Sequence, residues 1–253
     1  MHGHHMKLNT VVTGPEDGPP LLIAHGLFGS ARNWGVIQKR LSDVFRVTVV
    51  DMRNHGSSGW VDVHDYPAMA EDLAETLDGP SHILGHSMGG KAAMALALTR
   101  PELVDRLIVA DIAPVAYTHT QSHLVEAMQQ LPVDKLDTRR AADEALSETV
   151  DSPGVRAFLL QSLDVQAKRW ALNLGVLGRE MAKIVGWPDL TGSCEAPTLF
   201  LAGGESDYVT RGDRDAIRAL FPHARFAAIP GAGHWLHAEK PRKFEAAIRA
   251  FLA

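Results

Sequence analysis

Short apolar runs alternate with helical patterns along most of the chain. The runs are rich in Val, Ile, Leu and Ala, and they lie at 7–12, 20–24, 46–50, 82–84, 106–110, 198–202 and 225–229. Between them, apolar residues recur at helical spacing over 33–41, 66–77, 91–98, 213–220 and 241–252. Continuous apolar runs are typical of strands that are buried on both faces. The alternation therefore predicts an α/β fold with a mostly parallel sheet flanked by helices.

The alternation stops between the runs at 106–110 and 198–202. This segment contains helical patterns at 124–131, 140–150 and 155–163, and no convincing strand. We interpret it as a helical cap, residues 114–190, inserted into a core of residues 1–113 and 191–253. The cap is placed after the sixth strand, taken as the run at 106–110. A separate helical domain is the alternative, which the immediate return of the strand pattern disfavours.

Charge and composition exclude several classes of partner. The 253 residues carry a formal net charge of −5, which argues against nucleic acid or an anionic membrane as partner. No apolar run approaches the roughly 18 residues of a membrane span, and no signal-peptide pattern is present. The single cysteine, Cys194, excludes an intrachain disulfide and fits a reducing compartment. We therefore predict a cytoplasmic protein, and the sequence leaves monomer and homodimer open.

The histidines predict no metal site. Residues 1–5 resemble an expression tag with the natural start at Met6, so the three histidines within them are set aside. The remaining histidines are scattered and lack the spacing of a metal-binding motif.

The segment around Ser87 has the pattern of a nucleophile elbow. Gly85-His86-Ser87-Met88-Gly89 follows a buried run and precedes an Ala- and Leu-rich helical pattern. The two glycines leave room for a serine held on a sharp strand-to-helix turn. A Gly- and Ser-rich turn without chemistry is the alternative, so the rest of the chain must decide.

A serine nucleophile needs a base and an acid that orients the base. His234 lies in a glycine-flanked loop after the last apolar run, and the order serine, acid, histidine suits this fold. The alternative is a loop histidine with a structural role. Two acids compete: Asp207, slightly favoured by spacing, and Asp111, which ends the run at 106–110. The one that does not serve is expected to be a turn or helix-cap aspartate.

Backbone N–H groups are predicted to hold the developing oxyanion. Met88 follows the nucleophile, and Leu27, or else Phe28, lies in the loop after the run at 20–24. Leu27 and Phe28 can equally line a pocket. Phe28, His86 and Trp235 are the candidate substrate-binding residues. The cap offers further pocket candidates that are just as compatible with its own core, namely Leu124, Met128, Leu160, Trp170 and Trp187.

Five motifs together resemble those of α/β-hydrolase esterases. They are HGLFGS at 25–30, DMRNHG at 51–56, GHSMGGK at 85–91, DIAPV at 111–115 and GAGHWLHAEKP at 231–241. The chain is similar over nearly all of 6–253 to the small YbfF-like bacterial esterases, a group that also includes the mammalian α/β-hydrolase domain-containing protein 11.

This resemblance implies a cofactor-free hydrolase of short- to medium-chain acyl esters and, by extension, acyl thioesters. It also moves the choice of acid to Asp111, because members that lack an aspartate at the position of Asp207 use the aspartate of the Asp-Ile-x-Pro-Val motif. This sequence has both aspartates. Two other functions stay open: a C–C bond hydrolase or lyase that uses the same triad, and a ligand receptor with slow turnover. A haloalkane dehalogenase is disfavoured because its nucleophile would be an aspartate where Ser87 stands.

Overall fold

The computed structural model describes residues 6–253, which contain a seven-stranded main sheet and a two-stranded hairpin. Residues 1–5, where a tag is predicted, lie outside the described residues. The strands are β1 Thr10–Thr13, β2 Pro20–Ala24, β3 Arg46–Val50, β4 Ser81–His86, β5 Val104–Ala110, β6 Leu163–Asp164, β7 Arg169–Trp170, β8 Thr198–Gly203 and β9 Ala224–Ile229.

The main sheet has the order β1-β3-β2-β4-β5-β8-β9. Only β1 runs antiparallel to its neighbour, so the predicted mostly parallel sheet is confirmed. The prediction that the run at 106–110 is the sixth strand is wrong by one, because this run lies in β5 and only four strands precede it in the chain. The elbow strand β4 lies at the centre, between β2 and β5, where carboxyl ends of parallel strands converge on a ligand site.

Helices cover both faces of the sheet. They are α1 Gly35–Leu41, α2 Tyr66–Thr76, α3 Met88–Thr99, α4 Ser122–Gln130, α5 Arg139–Leu146, α6 Pro153–Leu160, α7 Leu174–Arg179, α8 Met181–Val185, α9 Arg214–Leu220, α10 Leu236–Glu239 and α11 Pro241–Leu252. Short 3-10 helices span Ala31–Trp34, Pro101–Leu103, Val133–Lys135 and Arg211–Asp213.

Each strand contributes side chains to two hydrophobic layers. In β4, Ile83 belongs to the hydrophobic cluster that includes residues of α2, α3 and α9, whereas its neighbour Leu84 belongs to the cluster that includes residues of α1 and α11. Successive side chains of a strand point to opposite faces, so a continuous apolar run fills both layers. This burial holds the carboxyl end of β4 firmly in the middle of the molecule.

The segment between β5 and β8 is mostly helical, as predicted, and contains α4 to α8. The prediction that it has no strand is wrong, because β6 and β7 pair as a hairpin. Strands of two residues are too short to produce an alternating pattern. Met128, Leu146 and Leu159 of this segment are buried and belong to the same hydrophobic cluster as residues of the main sheet.

The division into core and cap at 113/114 and 190/191 stays a prediction. Within residues 6–253, no helix has the length and apolar character needed to cross a bilayer.

Candidate active site

Ser87 occupies the turn between β4 and α3. Its φ of 55° lies in the left-handed region that side chains rarely adopt. A Cβ at Gly85 would lie 2.2 Å from the carbonyl oxygen of Gly89. A Cβ at Gly89 would lie 2.3 Å from the carbonyl oxygen of Ala24. The turn therefore requires glycine at both positions, and it presents the Ser87 hydroxyl at the carboxyl edge of the sheet.

One hydrogen-bond chain joins Ser87, His234 and Asp111. His234 lies in the loop after β9, and its Nε2 is 3.0 Å from the Ser87 Oγ. Its Nδ1 is 2.7 Å from Oδ2 of Asp111, which directly follows β5. An ionised carboxylate can only accept, so the assigned tautomer has the proton on Nδ1. Nε2 is then free to take the proton of the Ser87 hydroxyl.

Three donors hold the Asp111 carboxylate. Besides His234, the Gly203 N–H donates to Oδ1 at 3.0 Å and the Ser206 hydroxyl donates to Oδ2 at 2.6 Å. The side chain is fully buried, and its φ of 53° directs it from the end of β5 toward the neighbouring strand β8. These bonds fix the orientation of the acid and satisfy both of its oxygens.

Asp207 lies one residue beyond Ser206 on the loop after β8, and its side chain is exposed. Within the described part of the chain, no hydrogen bond or ion pair joins it to His234. The structure thus brings Asp111 to the imidazole and leaves the other sequence candidate at the surface.

The loop after β2 supplies the second group of backbone donors. The Phe28 N–H is already bound, because it donates to Nε2 of His55 at 3.1 Å. In residues 6–253, no protein acceptor binds the N–H of Leu27 or of Met88, the first residue of α3. Leu27 and Met88 therefore retain donors for an oxyanion, and the alternative donor Phe28 does not.

Neutral buried histidines support this loop. Burial lowers the pKa of His25 and of His55, and it lowers that of His64 to about 3. His55 accepts from the Phe28 N–H, and His25 Nε2 accepts from the Met52 N–H at 2.9 Å. Such acceptance requires an uncharged ring. In the described chain, no group of three or more His, Cys, Asp or Glu side chains is suited to hold a metal ion.

His86 fixes the backbone of His234. Its Nε2 donates to the His234 carbonyl at 2.7 Å, and burial holds its pKa well below 6.5. Next to it, His237 stacks on Trp34 at 4.0 Å between ring centroids, and burial lowers the pKa of His237 to about 3. This side of His234 is therefore lined by uncharged rings.

A cavity of about 560 Å³ opens over Ser87. The three substrate-binding candidates, Phe28, His86 and Trp235, all line it, and Phe158 from α6 packs on Trp235 at 5.4 Å between centroids. Of the five pocket candidates in the inserted segment, only Leu124 lines this cavity. The others lie elsewhere: Met128, Leu160 and Trp170 are buried among the inserted helices, and Trp187 packs against Tyr66.

Lys91 is a cavity residue that the sequence analysis did not single out. It lies one helical turn after Ser87, and burial lowers its pKa to about 7. Its Nζ donates to the carbonyls of Val185 at 3.1 Å and Gly186 at 2.6 Å, where α8 ends. A neutral amine has two N–H groups, which matches these two acceptors. The available signals were its i, i+4 spacing from Ser87 and its place at the end of the motif at 85–91.

Ser206 and Tyr208 were also missed. Ser206 binds Asp111, and the Tyr208 ring stacks on the His234 ring. Both follow the apolar run of β8, so their place just beyond the carboxyl end of a parallel strand was the available signal.

Comparison with known proteins identifies the family of this chain. Residues 19–241 match the family described as alpha/beta hydrolase fold. Esterase YbfF of Escherichia coli is 41% identical over 256 aligned residues, covering 98% of this chain and 99% of that protein. The mouse protein sn-1-specific diacylglycerol lipase ABHD11 is 41% identical, covering 93% of this chain and 81% of the lipase. The solved structure of a marine microorganism esterase has a TM-score of 0.92 at 37% identity, covering 97% of this chain and 99% of its own. The chain therefore belongs to the α/β hydrolase family, as one of its esterase- and lipase-like serine hydrolases.

Proposed function

We propose that this chain hydrolyses carboxylic esters through Ser87, His234 and Asp111, with an acyl-enzyme intermediate. The observation that carries the proposal is the hydrogen-bond chain of 3.0 Å and 2.7 Å that links these three side chains at the elbow. A serine hydroxyl is a weak nucleophile at neutral pH, and an oriented imidazole is the group that activates it.

In the first half-reaction, His234 Nε2 takes the proton of Ser87 as Oγ attacks the acyl carbonyl carbon. The C=O electron pair moves to oxygen, and Asp111 stabilises the imidazolium from the Nδ1 side. The tetrahedral intermediate then collapses, the C–O bond to the alcohol breaks, and the imidazolium protonates the departing alkoxide. In the second half, His234 deprotonates a water molecule that attacks the acyl-enzyme, which releases the acid and restores Ser87.

The N–H groups of Leu27 and Met88 are the proposed oxyanion donors. Neither N–H has a protein acceptor among the residues that the structure describes, and Met88 lies at the N-terminus of α3, where negative charge is favoured; both observations support this role. Each such donor is worth about 10²–10³ in kcat in enzymes of this kind.

The proposed substrates are short- to medium-chain acyl esters, together with acyl thioesters, whose carbonyl is open to the same attack. The cavity of about 560 Å³ and its apolar residues Phe28, Leu124, Val155 and Phe158 support an acyl chain of this size. The mouse relative is named a diacylglycerol lipase, which is consistent with an acyl ester as substrate.

Substitution of the nucleophile tests the mechanism. We expect Ser87→Ala to lower turnover of p-nitrophenyl butyrate by about 10⁴-fold or more, because the acyl-enzyme cannot form. Wild type should form a covalent adduct with a fluorophosphonate at one per chain, and Ser87→Ala should form none. Turnover by Ser87→Ala within a few-fold of wild type would rule the mechanism out.

A substrate panel separates the alternatives. Wild type should turn over p-nitrophenyl esters many times, with the highest kcat/KM between two and about ten acyl carbons, the range that the cavity volume supports. Preferential cleavage of a meta-cleavage-type diketone would instead identify a C–C bond hydrolase. Stoichiometric fluorophosphonate labelling without multiple turnover would identify a receptor.

Three further features belong to the same proposal. Residues 114–190 act as a cap that shapes the acyl pocket, on a core of 1–113 and 191–253. The net charge of −5 and the single cysteine support a cytoplasmic protein that binds a small-molecule ester without a nucleic-acid or membrane partner. The chain acts as a monomer or homodimer, without a metal or other cofactor.

A further inference from the structure

The ring of Tyr208 covers one face of the His234 ring. The two centroids are 4.0 Å apart, and the ring planes differ by 20°. Tyr208 lies on the loop after β8 and is half-buried, whereas His86 approaches the imidazole from elsewhere, with its centroid 4.9 Å away and its ring tilted by 41°. Tyr208 is thus the side chain that stacks on the proposed base.

Hydrogen bonds hold the tyrosine at several points. The Tyr117 hydroxyl donates to the Tyr208 carbonyl at 2.7 Å, and the Tyr208 hydroxyl lies 2.9 Å from Nε2 of His119. The Tyr208 N–H donates to the Ser206 hydroxyl oxygen at 3.3 Å. Because Tyr117 and His119 lie between β5 and α4, the first turns of the inserted segment hold Tyr208 in place over the imidazole.

The stack has an electrostatic consequence during catalysis. The face of an aromatic ring carries partial negative charge and attracts a cation whose centre is within about 6 Å of its centroid. When His234 takes the proton of Ser87 it becomes a cation, with the phenol ring against its face. Asp111 provides the negative charge on the Nδ1 side, and His86 and His237 remain uncharged because burial lowers their pKa.

We propose that Tyr208 is a positioning residue that holds the His234 ring and stabilises its imidazolium by stacking. The inference rests on the proposed function, because it requires His234 to be the base. It assigns the aromatic ring, and not the hydroxyl, as the group that matters for the chemical step.

Two substitutions at one position separate the ring from the hydroxyl. Tyr208→Phe keeps the stacked ring and loses the bond to His119, so we expect kcat within about threefold of wild type. Tyr208→Leu removes the ring, so we expect kcat to fall about tenfold while KM for p-nitrophenyl butyrate changes less than about threefold. Trp60→Leu removes an exposed aromatic ring and serves as the matched control with wild-type kinetics.

The pH profile provides a readout that a general loss of packing would not change. Without the stacked ring the imidazolium is less stable, so the base form of the site persists to lower pH. We expect the acid limb of kcat/KM in Tyr208→Leu to shift down by about 0.5–1 pH unit, and that of Tyr208→Phe to stay at the wild-type position. Equal melting temperatures would confirm that the variants are folded.

Three outcomes would overturn the inference. They are equal kcat in the Phe and Leu variants, an unchanged acid limb in the Leu variant, or a loss in the Leu variant that appears only in KM, which would identify a substrate contact. Failure of the proposed function is a separate result, which the Ser87→Ala variant reports. If Ser87→Ala is active, both the triad mechanism and the role of Tyr208 are wrong. If Ser87→Ala is inactive and any of the three outcomes is found, only the role of Tyr208 is wrong.

Discussion

Asp111 and Asp207 both follow strands at the carboxyl edge of the sheet, but their surroundings differ. Asp111 is buried and binds Nδ1 of His234, whereas Asp207 is exposed. We expect Asp111→Asn to lower kcat for p-nitrophenyl butyrate about 10²–10⁴-fold, because an amide stabilises neither the required tautomer nor the imidazolium. Asp207→Asn should keep kcat within about threefold of wild type, because its side chain is exposed and is not bonded to His234 in the described structure. The opposite ranking of the two variants would reassign the acid.

The sequence could predict that a serine, a histidine and an aspartate form the candidate site, but it could not decide which aspartate belongs to it. The glycines beside Ser87 predict a turn, because no other residue fits there. The two aspartates could not be separated by chain position, since β5 and β8 are neighbours and each aspartate follows a strand. Their difference depends on the φ of 53° at Asp111 and on Ser206, which donates to its carboxylate. The backbone angle leaves no pattern in the sequence, and the position of Ser206 after β8 does not show which aspartate it binds.

Among the elements, α3 and α8 are joined by Lys91. Burial lowers its pKa to about 7 from the value of 10.5 for an unhindered lysine. Between these pH values the unfolded chain binds a proton that the folded chain does not, so the free energy of unfolding rises with pH. We expect this rise to reach about 1.4 kcal/mol per pH unit between pH 7 and 9, relative to Lys91→Met, in urea unfolding.

An exposed lysine provides the control for this measurement. Lys39→Met removes a surface charge from α1 and should keep the pH dependence of wild type. If Lys91→Met and wild type show parallel pH dependence, the amine is charged in both states and the neutral two-donor arrangement is wrong. The sequence could not predict this role, because a lysine in a helix is normally solvated and the carbonyls that it binds lie 94 and 95 residues further along the chain.

Patterns of several residues made most elements predictable. The main-sheet strands and the helix at 241–252 are long enough for their apolar spacing to be recognised. The hairpin of β6 and β7 and the short helices α7, α8 and α10 have two to six residues each, so tertiary contacts decide their structure.

The whole molecule buries several histidines as neutral rings. In the folded state the pKa of His64 and of His237 is about 3, below the 6.5 of an unhindered histidine, and burial also lowers that of His25, His55 and His86. Below pH 6.5 the unfolded chain therefore gains protons that the folded chain does not. The stability is fully present above pH 6.5 and is lost as pH falls toward the folded-state pKa.

We expect the free energy of unfolding to fall by about 2 kcal/mol for each of His64 and His237 between pH 7 and pH 5. His237→Phe keeps a ring against Trp34 and should lose about 2 kcal/mol less than wild type over this range. Chemical denaturation at the two pH values measures the difference. An equal loss in wild type and variant would show that His237 is protonated in the folded protein.

The contact of α3 with the end of α8 at Lys91 has a consequence for replacing the segment between β5 and β8. The segment after β5 and the end of α8 lie next to each other, because the Tyr117 N–H donates to the Val185 carbonyl. Lys91 Nζ donates to the same carbonyl, and the Tyr66 hydroxyl donates to the carbonyl of Ile184. The two ends of the segment between residues 117 and 184 are therefore close together in space. A segment from another enzyme, grafted between residues 117 and 184, would join this scaffold beside Ser87, and it would have to replace the bonds that Ser162 and Ala171 make to the loops at Phe28 and Gly56. Under the proposed role of residues 114–190 as a cap, such a graft would also transfer its acyl selectivity.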